Sequence, residues 1–434
     1  MIKTVSPSPL AGKLHVMPSK SASHCAVMMA ALAKGETTLS PLQLSRDIVA
    51  TISCAKALGL VGDVSTAPHQ QPGFVSATLS GGERFVCGSR TLDCGESGST
   101  LRFFIPLALD GCGPVRFIGH GRLMQRPLDI YEHLFRPLGI RWEQTDHDLI
   151  VEGKLIPGEY CLRGDVSSQF ITGLLLALPQ LDGESTIRIT TPLESRAYVE
   201  LTRRVQESFG VISHWQDAQT LIIPGSQKPV SPGRAHVESD WSHAAFYLTA
   251  GCLSSVGPLT LTGLDMKSAQ GDRAIMDILR DMGAILNLKQ DFVSVCPSRL
   301  HAVTVDASQI PDLVPILAVA MAAAEGESRI TGAARLRIKE SDRLCAMHAA
   351  LSACGANIEE LPDGLIIRGG KRLHEAQIDG CNDHRIVMAM AVASALSCGE
   401  FTITDAQAVT KSAPAFWEEF ASLGGRAVTA SENL

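Results

Sequence analysis

One pattern of hydrophobic and polar positions recurs six times along the chain. Each copy opens with an apolar, Ala-rich segment, such as residues 25–33, and continues through a turn rich in Gly, acidic residues, Ser and Thr. A short strand-like segment, a polar loop and a second, amphipathic helical segment follow, and a Gly precedes the next strand. Helix and strand periodicities that alternate within about 70 residues predict an α/β fold assembled from similar units.

Two sets of glycines mark this repeat independently of each other. The turn glycines are 69 to 78 residues apart, and the glycines after the second helix are 69 to 80 residues apart. The turn set is Gly35, Gly113, Gly183, Gly257, Gly326 and Gly399, and the second set is Gly59, Gly139, Gly210, Gly283, Gly355 and Gly424. Because Gly readily adopts the left-handed conformation that commonly ends a helix, we expect the second set to close helices. Strands are predicted at residues 149–151, 221–223 and 365–367.

The six copies group as three plus three in our interpretation, which predicts two similar domains with a cleft between them. A polar stretch at residues 227–240, with two Pro and one Gly, lies near the midpoint of the chain. Such a stretch is the candidate domain boundary.

The composition excludes several classes of protein. The 434 residues are 45% hydrophobic and 19% charged, with a net charge of −7, which is typical of a globular chain. The longest uncharged apolar runs, such as residues 313–324, fall short of the roughly 18 residues of a membrane span, and the N-terminus lacks a signal-peptide core. The acidic balance argues against a nucleic-acid partner. The 12 scattered Cys suggest reduced thiols, so we expect a cytoplasmic protein with no membrane partner.

A distinctive residue stands 15 positions before each turn glycine, where the first helix of each copy should begin. These positions are Lys20, Gly98, Ser168, Ser242, Pro311 and His384. Free N–H groups at helix starts bind anions, but Ser, Asp and Asn there are also ordinary N-caps, and both interpretations remain for Asp240 and Ser242. Capping does not explain Lys20, Arg102 and Arg385, because these side chains supply only donors.

A second polar set lies in the predicted loop before the second helix of each copy. It comprises Arg46 and Asp47, Arg122 and Arg126, Ser195, Arg196 and Tyr198, Asp272 and Arg273, residues 339–343, and Lys411. Each taken alone is also compatible with a solvated surface charge. Their recurrence favours convergence on one face of each domain, and a cleft rich in Lys and Arg predicts a small ligand with phosphate or carboxylate groups.

Short motifs occur in a characteristic order along nearly the whole chain. They lie at residues 18–23, 93–102, 125–127, 164–170, 194–198, 310–312, 337–343, 383–385 and 411–414. Among them, Ser-Ser-Gln, Lys-Glu-Ser-Asp-Arg and Asp-His-Arg form a specific signature together, although each is weak alone. With these motifs the chain resembles the EPSP synthase (3-phosphoshikimate 1-carboxyvinyltransferase) family of enolpyruvyl transferases.

The resemblance implies an α/β fold of two similar domains, each of three repeated α/β units with helices packed inside and sheets outside, an inside-out α/β barrel. It implies a discontinuous domain of residues 1–18 plus 239–434 and an inserted domain of residues 19–238. The active site is expected in the interdomain cleft, and the protein is expected to be a monomer.

The resemblance also implies an enzyme, EC 2.5.1.19, of chorismate and aromatic amino acid biosynthesis. Such an enzyme transfers the enolpyruvyl group of phosphoenolpyruvate to the 5-hydroxyl of shikimate 3-phosphate and releases phosphate. The chemistry is addition and then elimination through a tetrahedral adduct, with neither a metal nor an organic cofactor. Glyphosate is the inhibitor that the family implies.

The family's site residues carry over to matching positions of this sequence. Shikimate 3-phosphate is expected to be bound by Lys20, Ser21, Ser167, Ser168, Gln169, Ser195, Tyr198, Asp312 and Lys339. Phosphoenolpyruvate is expected to be bound by Lys20, Gly98, Arg126, Gln169, Arg343, Arg385 and Lys411. Asp312 is the predicted base at the 5-hydroxyl, Glu340 the group that exchanges a proton at the methylene carbon, and Lys20 the competing proton donor.

Three positions depart from the family pattern. Cys25 stands where an Arg usually contacts the shikimate carboxylate or hydroxyl side, Glu96 stands where Asn is usual, and Met17-Pro18 replaces Pro-Gly. A thiol cannot replace a cationic fork, and the neighbouring His24 is the candidate for partial compensation. Compensated drift, weakened affinity, and a changed substrate or lost activity are therefore all compatible with the sequence.

Other functions remain as alternatives. A UDP-N-acetylglucosamine enolpyruvyl transferase usually carries a reactive Cys or Asp in the loop at residues 119–126, which here contains no Cys. A catalytically silent homologue that only binds anionic ligands would account for Cys25 and Glu96. RNA-end chemistry on the same repeat fold is disfavoured by the acidic balance.

Overall fold

The computed structural model describes residues 1–82, 88–289 and 292–430. Contacts between residues divide the chain into two compact units, which we call the discontinuous unit, Met1–Met17 with Ser239–Leu434, and the inserted unit, Pro18–Glu238. The first boundary between the units falls one residue before the one implied by the sequence resemblance, and the second boundary is at the same position. Within the described ranges, no helix is long and apolar enough to cross a membrane.

Twelve α-helices are found in the described residues, two in each copy of the repeat. They are α1 Lys20–Leu32, α2 Arg46–Ala57, α3 Gly98–Leu107, α4 Asp129–Phe135, α5 Ser168–Ala177, α6 Arg196–Ser208, α7 Trp241–Leu253, α8 Ile275–Asp281, α9 Val314–Ala323, α10 Arg343–Ala353, α11 His384–Ala393 and α12 Phe416–Ser422. Short 3₁₀ helices extend or precede several of them. These are Leu123–Gln125, Arg136–Leu138, Leu178–Gln180, Gly271–Ala274, Pro311–Leu313, Ala334–Ile338, Ser394–Leu396 and Ala406–Lys411.

The strands are short, as expected for segments between the paired helices. They are β1 Lys3–Ser6, β2 Gly12–His15, β3 Gly35–Leu42, β4 Val61–Pro68, β5 Val75–Gly81, β6 Arg90–Asp93, β7 Val115–Ile118, β8 Arg141–Gln144, β9 Asp148–Glu152, β10 Glu159–Leu162, β11 Ser185–Ile189, β12 His214–Trp215, β13 Thr220–Ile223, β14 Arg234–His236, β15 Leu259–Thr262, β16 Ile285–Leu288, β17 Phe292–Cys296, β18 Thr304–Asp306, β19 Glu327–Thr331, β20 Asn357–Leu361, β21 Gly364–Arg368, β22 Ala376–Ile378, β23 Phe401–Ile403 and β24 Arg426–Thr429. The three strands predicted from the sequence are confirmed, because they lie in β9, β13 and β21.

Among the described residues, six four-stranded sheets repeat one topology, three in each unit. The inserted unit contains the orders β14-β3-β5-β4, β6-β7-β9-β8 and β10-β11-β13-β12. The discontinuous unit contains β2-β15-β17-β16, β18-β19-β21-β20 and β22-β23-β1-β24. In every sheet the first two strands are parallel and the other neighbours are antiparallel. Three of these sheets are completed by strands distant along the chain, since β14 pairs with β3, β2 with β15, and β1 with β23.

The first helix of each copy forms the interior of its unit. Helices α7, α9 and α11 contact one another, and α3 contacts α5. Residues Val314–Ala322 of α9 are all buried, as expected for a helix that is apolar on every side. The strands alternate buried and more exposed positions, as in β7 and β9, so each sheet covers the helices with one face. The predicted fold class, three repeated α/β units per domain with helices inside, is confirmed.

The structure confirms the glycine prediction and refines the helix starts. All six glycines after the second helices have positive φ, between 76° and 99°. Four predicted starts are the first residues of α1, α3, α5 and α11. Helix α7 begins at Trp241, one residue before the predicted Ser242, and Pro311 begins a 3₁₀ helix before α9. The predicted loop assignment is wrong for the two helix-start segments Arg46–Asp47 and Arg196–Tyr198, and for Arg343, because α2, α6 and α10 already include them.

Candidate active site

The discontinuous unit gathers charged side chains at the starts of its helical segments. Asp312 lies in the 3₁₀ helix before α9, Arg343 is the first residue of α10, and Arg385 is the second residue of α11. The N-caps Asp342 and Asp383 accept backbone N–H bonds of 3.1 and 2.9 Å in the first turns of α10 and α11. These caps stabilise the turns that carry the two arginines.

Arg343 is the centre of this group and is only 1% exposed. Its Nη1 donates to Asp312 Oδ1 at 3.0 Å and its Nη2 to Glu340 Oε2 at 2.8 Å. Its Nε donates to Asp383 Oδ2 at 2.8 Å. Burial lowers the pKa of Arg343, but the charges of Asp383, Glu340 and Asp312 outweigh it and raise the pKa, so the guanidinium stays protonated. We call Asp312, Glu340, Arg343, Asp383 and Arg385 the carboxylate–arginine cluster.

Asp312 is held by two arginines at once. In addition to Arg343, Arg385 donates from Nη2 to Asp312 Oδ2 at 2.9 Å and from Nη1 to the Asp312 carbonyl at 3.0 Å. Burial raises the pKa of Asp312, but Arg385, Lys339 and Arg343 outweigh it and hold the pKa well below its usual range. In this arrangement Asp312 is an ionised carboxylate and a weak base.

Two lysines complete the charged groups predicted for this unit. Burial, followed by the positive charges of Arg335 and Arg343, lowers the pKa of Lys339 to about 8. Lys411 ends the 3₁₀ helix Ala406–Lys411, is 4% exposed, and donates from Nζ to the Asn382 carbonyl at 2.6 Å. Because its pKa is about 8, Lys339 loses its positive charge within the pH range in which enzymes are commonly assayed.

In the inserted unit, two arginines lie beside Gly98, and one of them donates a hydrogen bond to the side-chain amide of Gln169. A Cβ at Gly98 would lie 2.7 Å from Arg126 Nη1 and 3.0 Å from Arg102 Nη1. Arg102 Nη1 donates to Gln169 Oε1 at 2.7 Å, and Gln169 Nε2 donates to Ser99 Oγ at 2.9 Å. The missing side chain at Gly98 thus admits two guanidinium groups beside the start of α3. We call these five residues the amide–arginine cluster.

Lys20 lies at the start of α1, where Ser19 is the N-cap. Its ammonium is 3.2 Å from Asp47 Oδ2, which lies in the first turn of α2. Ser21 is the next residue of α1 and is partly exposed. The first and second helices of this copy are therefore joined by an ion pair at their N-terminal turns.

The predicted phosphate-binding serines occupy two helix starts. Ser167 is the N-cap of α5, with its Oγ accepting the Gln169 N–H at 3.3 Å, and Ser168 begins that helix. The Ser167 hydroxyl can still donate while it accepts. Ser195 has φ 54°, a left-handed conformation that a non-Gly residue rarely adopts, and its carbonyl accepts the Tyr198 N–H at 3.1 Å. Such strain is found preferentially at functional positions.

The departure at Cys25 is a neutral, packed side chain. Cys25 is 3% exposed, its Sγ is 3.5 Å from Thr202 Oγ1, and burial raises its pKa to about 11. His24 does not supply the missing charge, because burial and then the charge of Lys20 lower its pKa to about 3. Its Nδ1 instead pairs with Thr51 Oγ1 at 2.8 Å.

The departure at Glu96 affects the segment that leads to Arg126. Gly121 has φ 57°, and a Cβ there would lie 2.7 Å from Glu96 Oε2. The neighbouring His120 has its Nε2 3.0 Å from Asp93 Oδ1, and its backbone N–H donates to the Gly95 carbonyl at 2.7 Å. Glu96 therefore packs against Gly121 of the segment that leads to Arg126.

Each predicted site residue falls in one of the two units. The inserted unit carries Lys20, Ser21, Gly98, Arg126, Ser167, Ser168, Gln169, Ser195 and Tyr198, and the discontinuous unit carries Asp312, Lys339, Glu340, Arg343, Arg385 and Lys411. The structure brings Gly98, Arg126 and Gln169 together, and likewise Asp312, Glu340, Arg343 and Arg385. Sequence reasoning missed Asp383 as the partner of Arg343, although its place before a helix start was a signal.

Comparisons with known proteins agree with one another. A family model described as EPSP synthase (3-phosphoshikimate 1-carboxyvinyltransferase) matches residues 5–420. A curated 3-phosphoshikimate 1-carboxyvinyltransferase of Clostridium novyi (strain NT) is 45% identical over 423 residues, with 96% of each chain covered. The protein of that name from Clostridioides difficile (strain 630) is 39% identical over 425 residues, with 97% of each covered.

Solved structures show the same fold. An EPSP synthase from Acinetobacter baumannii superposes with a TM-score of 0.80 at 25% identity, covering 99% of this chain and 100% of that one. The enolpyruvyl transferase NikO from Streptomyces tendae superposes with a TM-score of 0.75 at 17% identity, covering 99% of both. The second match concerns the fold alone.

Proposed function

The chain belongs to the EPSP synthase (3-phosphoshikimate 1-carboxyvinyltransferase) family, and on that premise we propose that it transfers the enolpyruvyl group of phosphoenolpyruvate to the 5-hydroxyl of shikimate 3-phosphate. The family match confirms the resemblance drawn from the motifs. Phosphate is the second product. The observation that best supports this chemistry is the buried guanidinium of Arg343 in contact with Asp312 and Glu340, the two proposed acid–base groups.

Charge neutralisation is the first requirement of the reaction, because both substrates carry a phosphate and a carboxylate. In the carboxylate–arginine cluster, Asp312 itself is the anion bound by Arg343 and Arg385. An anionic group of phosphoenolpyruvate would compete with Asp312 for these guanidiniums. Loss of those contacts raises the pKa of a carboxylate, so substrate binding would make Asp312 a stronger base.

Proton transfer is the second requirement. We assign Asp312 as the base at the 5-hydroxyl and Glu340 as the group that exchanges a proton at the methylene carbon of phosphoenolpyruvate. Glu340 contacts Arg343 at 2.8 Å, so the same guanidinium that binds an anion also orients this carboxylate. Lys20 remains the competing proton donor.

The remaining residues are proposed to bind the two substrates. Phosphoenolpyruvate would contact Lys20, Gly98, Arg126, Gln169, Arg343, Arg385 and Lys411. Shikimate 3-phosphate would contact Lys20, Ser21, Ser167, Ser168, Gln169, Ser195, Tyr198, Asp312 and Lys339. Hydroxyl, ammonium and guanidinium donors that are already in position when the reaction begins stabilise developing negative charge without having to reorganise.

One alternative keeps a specific observation in its favour. The neutral, buried thiol of Cys25 lacks the charge that the family usually has at this position, which fits a homologue that only binds anionic ligands. The ion pairs of Arg343 with two proposed catalytic carboxylates support an active enzyme instead. UDP-N-acetylglucosamine as the acceptor is not favoured, since the family model and the curated relatives carry the shikimate name.

The test is phosphate release from phosphoenolpyruvate by the purified protein, with shikimate 3-phosphate, UDP-N-acetylglucosamine or no acceptor. We expect release only with shikimate 3-phosphate, in equal amount to the enolpyruvyl product. Binding of shikimate 3-phosphate by calorimetry without any release would favour the silent homologue. Release with UDP-N-acetylglucosamine alone would overturn the choice of acceptor.

Further parts of the proposal concern the setting of the enzyme. The described cysteines are free thiols, which fits the reducing cytoplasm. We propose a monomer, to be checked by sedimentation equilibrium. Glyphosate is proposed to compete with phosphoenolpyruvate, since it also carries a phosphonate-type anion and a carboxylate, and competitive kinetics would establish this.

A further inference from the structure

A buried arginine outside the proposed substrate-binding set lies within the amide–arginine cluster. Arg102 is on α3 and is 6% exposed. Its Nη1 donates to Gln169 Oε1 at 2.7 Å and its Nη2 to the Pro127 carbonyl at 3.4 Å. Its guanidinium carbon lies 5.0 Å from the centre of the Phe170 ring, an arrangement in which an aromatic ring attracts a cation. One side chain therefore contacts two residues of α5 and the segment that leads into α4.

The backbone of Arg102 is also held against α5. The hydroxyl of Tyr131, a completely buried residue of α4, lies 3.0 Å from the Arg102 carbonyl oxygen and 2.8 Å from that of Phe170. A Cβ at Gly173 would lie 2.4 Å from the Arg102 carbonyl oxygen, so the missing side chain at Gly173 permits the close approach of α3 and α5. The packing of these helices therefore sets the distance between Arg102 and Gln169.

The hydrogen bond from Arg102 determines which way the Gln169 amide points. A guanidinium carries N–H donors and no acceptor, so only the amide oxygen can face it. The NH₂ group then lies on the other side of the amide, where Nε2 donates to Ser99 Oγ at 2.9 Å. An amide nitrogen has two hydrogens, and the one that Ser99 does not accept remains to donate to an anionic ligand. An inverted amide would present its oxygen to that ligand and would place an NH₂ group against the Arg102 donor.

We propose that Arg102 is a positioning residue that fixes the side-chain amide of Gln169 with its NH₂ group directed to the anionic substrates. This inference rests on the proposed function, in which Gln169 contacts both phosphoenolpyruvate and shikimate 3-phosphate. Arg102 supplies the orientation, and Gln169 supplies the contact. An amide that is already held in place loses little conformational freedom when the substrate binds, so Arg102 lowers KM more than it changes the chemical step.

The planar fork of an arginine suits this role better than an ammonium group. Two nitrogens of Arg102 donate at once, one to Gln169 and one to the Pro127 carbonyl, so the plane of the guanidinium is fixed. A lysine has a single charged nitrogen on a flexible stem and cannot reproduce both contacts in one plane. We therefore expect Arg102→Lys to keep the amide orientation only in part.

The kinetic test compares KM and kcat of the wild type with those of variants at Arg102. Arg102→Met removes both donors and keeps an apolar stem over Phe170, and we expect KM for phosphoenolpyruvate to rise about tenfold with a smaller fall in kcat. Arg102→Lys should recover part of this loss. Arg116→Met, at an exposed arginine of β7 paired with Asp148, is the control and should keep the wild-type KM. A purely structural role would reduce the folded fraction and hence kcat while KM stayed unchanged, and that result would overturn the proposal.

A double-mutant cycle shows whether Arg102 acts through Gln169. In the Gln169→Ala background, Arg102→Met should change KM for phosphoenolpyruvate by less than about twofold, because the group that Arg102 positions is gone. Equal changes in the two backgrounds would contradict the proposal.

Gln169→Glu tests the orientation without altering Arg102. The new carboxylate still accepts a hydrogen bond from Arg102 but has no hydrogen to donate, so KM for phosphoenolpyruvate should rise at least as much as in Gln169→Ala. A smaller rise than in Gln169→Ala would show that the NH₂ group does not face the substrate, and would contradict the proposal.

The orientation can also be measured without any turnover. In the substrate-free protein labelled with ¹⁵N, the side-chain amide of Gln169, assigned by its absence in Gln169→Ala, should behave as a rigid group in heteronuclear NOE measurements. We expect Arg102→Met to make this amide mobile and Arg102→Lys to keep part of its order. An equally rigid amide in Arg102→Met would contradict the positioning role. Loss of order in Arg102→Met of a protein that does not turn over shikimate 3-phosphate would refute only the proposed function.

Discussion

Two helix pairs at corresponding places in the two units each carry a buried carboxylate, but its hydrogen-bond partner differs between them. In the inserted unit, Lys20 at the start of α1 faces Asp47 at the start of α2, with 3.2 Å between the ammonium and the carboxylate. In the discontinuous unit, Ser242 on α7 faces Asp272 just before α8, and a hydroxyl replaces the ammonium. Asp47 pairs with the ammonium of Lys20 in its own copy of the repeat. Burial and the charges of Asp312 and Asp240 instead raise the pKa of Asp272, and Arg385 of another copy lowers it.

The same contrast extends to the arginines of the two units. Arg343 and Arg385 are held by the carboxylates of Asp312, Glu340 and Asp383. Arg102 is held instead by the amide of Gln169 at 2.7 Å. A shared scaffold therefore carries two kinds of chemistry. In the proposed function, the discontinuous unit would supply the acid–base groups, which are paired with arginines, and the inserted unit would supply donors for anions.

The largest loss of activity should come from removing the carboxylates of the discontinuous unit, which the inserted unit does not match. Asp312→Ala and Glu340→Ala should each lower kcat by about 10² to 10⁴, because a positioned acid or base is lost. Steady-state kinetics of folded variants, checked by circular dichroism, measures this loss. Glu359→Ala, an exposed carboxylate paired with Arg368, is the matched control and should keep wild-type kcat. Near-normal turnover in Asp312→Ala or Glu340→Ala would reject the role assigned to that residue.

A smaller effect should come from the amide–arginine cluster. In Gly98→Ala the new methyl would meet Arg126 Nη1 at 2.7 Å and displace it, so we expect KM for phosphoenolpyruvate to rise about tenfold with a lesser change in kcat. Gly158→Ala is the control, because a Cβ at Gly158 meets nothing within 4 Å. An unaltered KM in Gly98→Ala would show that the Arg126 position does not matter for this substrate.

A pH effect on substrate binding is expected from Lys339, the lysine of the discontinuous unit whose pKa is lowered. Lys339 has a pKa lowered to about 8 by burial and by Arg335 and Arg343, so its positive charge is present below pH 8 and is lost above it. We expect KM for shikimate 3-phosphate to rise above pH 8, by at most about tenfold per pH unit. Lys339→Arg keeps its charge and should flatten the profile. A rise of equal steepness in Lys339→Arg would assign the effect to another group.

The same lysine affects stability with a defined sign. The unfolded chain holds the Lys339 proton up to a pKa near 10.5, whereas the folded protein releases it near 8. The unfolded state therefore binds more protons between these values, and the free energy of unfolding should gain a favourable contribution as pH rises from 8 to 10.5. Urea titrations of wild type and Lys339→Met at pH 8 and pH 10 measure it, and the variant should lack this gain.

The smallest effect is expected at Cys25. Its thiol is neutral and packed against Thr202, so Cys25→Ala should change KM for shikimate 3-phosphate by less than about twofold and lower stability by about 1 kcal/mol. Steady-state kinetics and urea unfolding measure the two quantities. A large loss of affinity would show that the thiol contacts the substrate, and would weaken the interpretation of Cys25 as packing.

Much of the scaffold can be predicted from the sequence because its signals are local. A positive φ at Gly59 and at Gly424 reflects the end of a helix within a few residues. The starts of α1, α3, α5 and α11 likewise follow from the repeat spacing. Periodicity says nothing about strands that close a sheet from a distance, such as β14 beside β3 or β1 between β23 and β24.

The site is only partly predictable for the same physical reason. The motif at residues 337–343 points to Arg343, but its ion pair with Asp383 joins two copies of the repeat and depends on how their helix starts pack. The neutral state of His24 depends on complete burial, which no neighbour in sequence reveals. The raised pKa of Asp272 similarly depends on burial and on the charges of Asp312 and Asp240, which lie 32 or more residues away along the chain.

The most direct test of the central claim is the reaction in D₂O followed by ³¹P and ¹H NMR, with phosphoenolpyruvate and shikimate 3-phosphate present together. We expect phosphoenolpyruvate to disappear, inorganic phosphate to appear in equal amount, and the vinyl methylene of the product to carry deuterium, since a solvent-exchangeable group protonates that carbon before elimination. In Asp312→Ala and Glu340→Ala, loss of phosphoenolpyruvate, release of phosphate and incorporation of deuterium should all become slower to the same extent. Persistence of both substrates, or phosphate release that does not require shikimate 3-phosphate, would contradict the account.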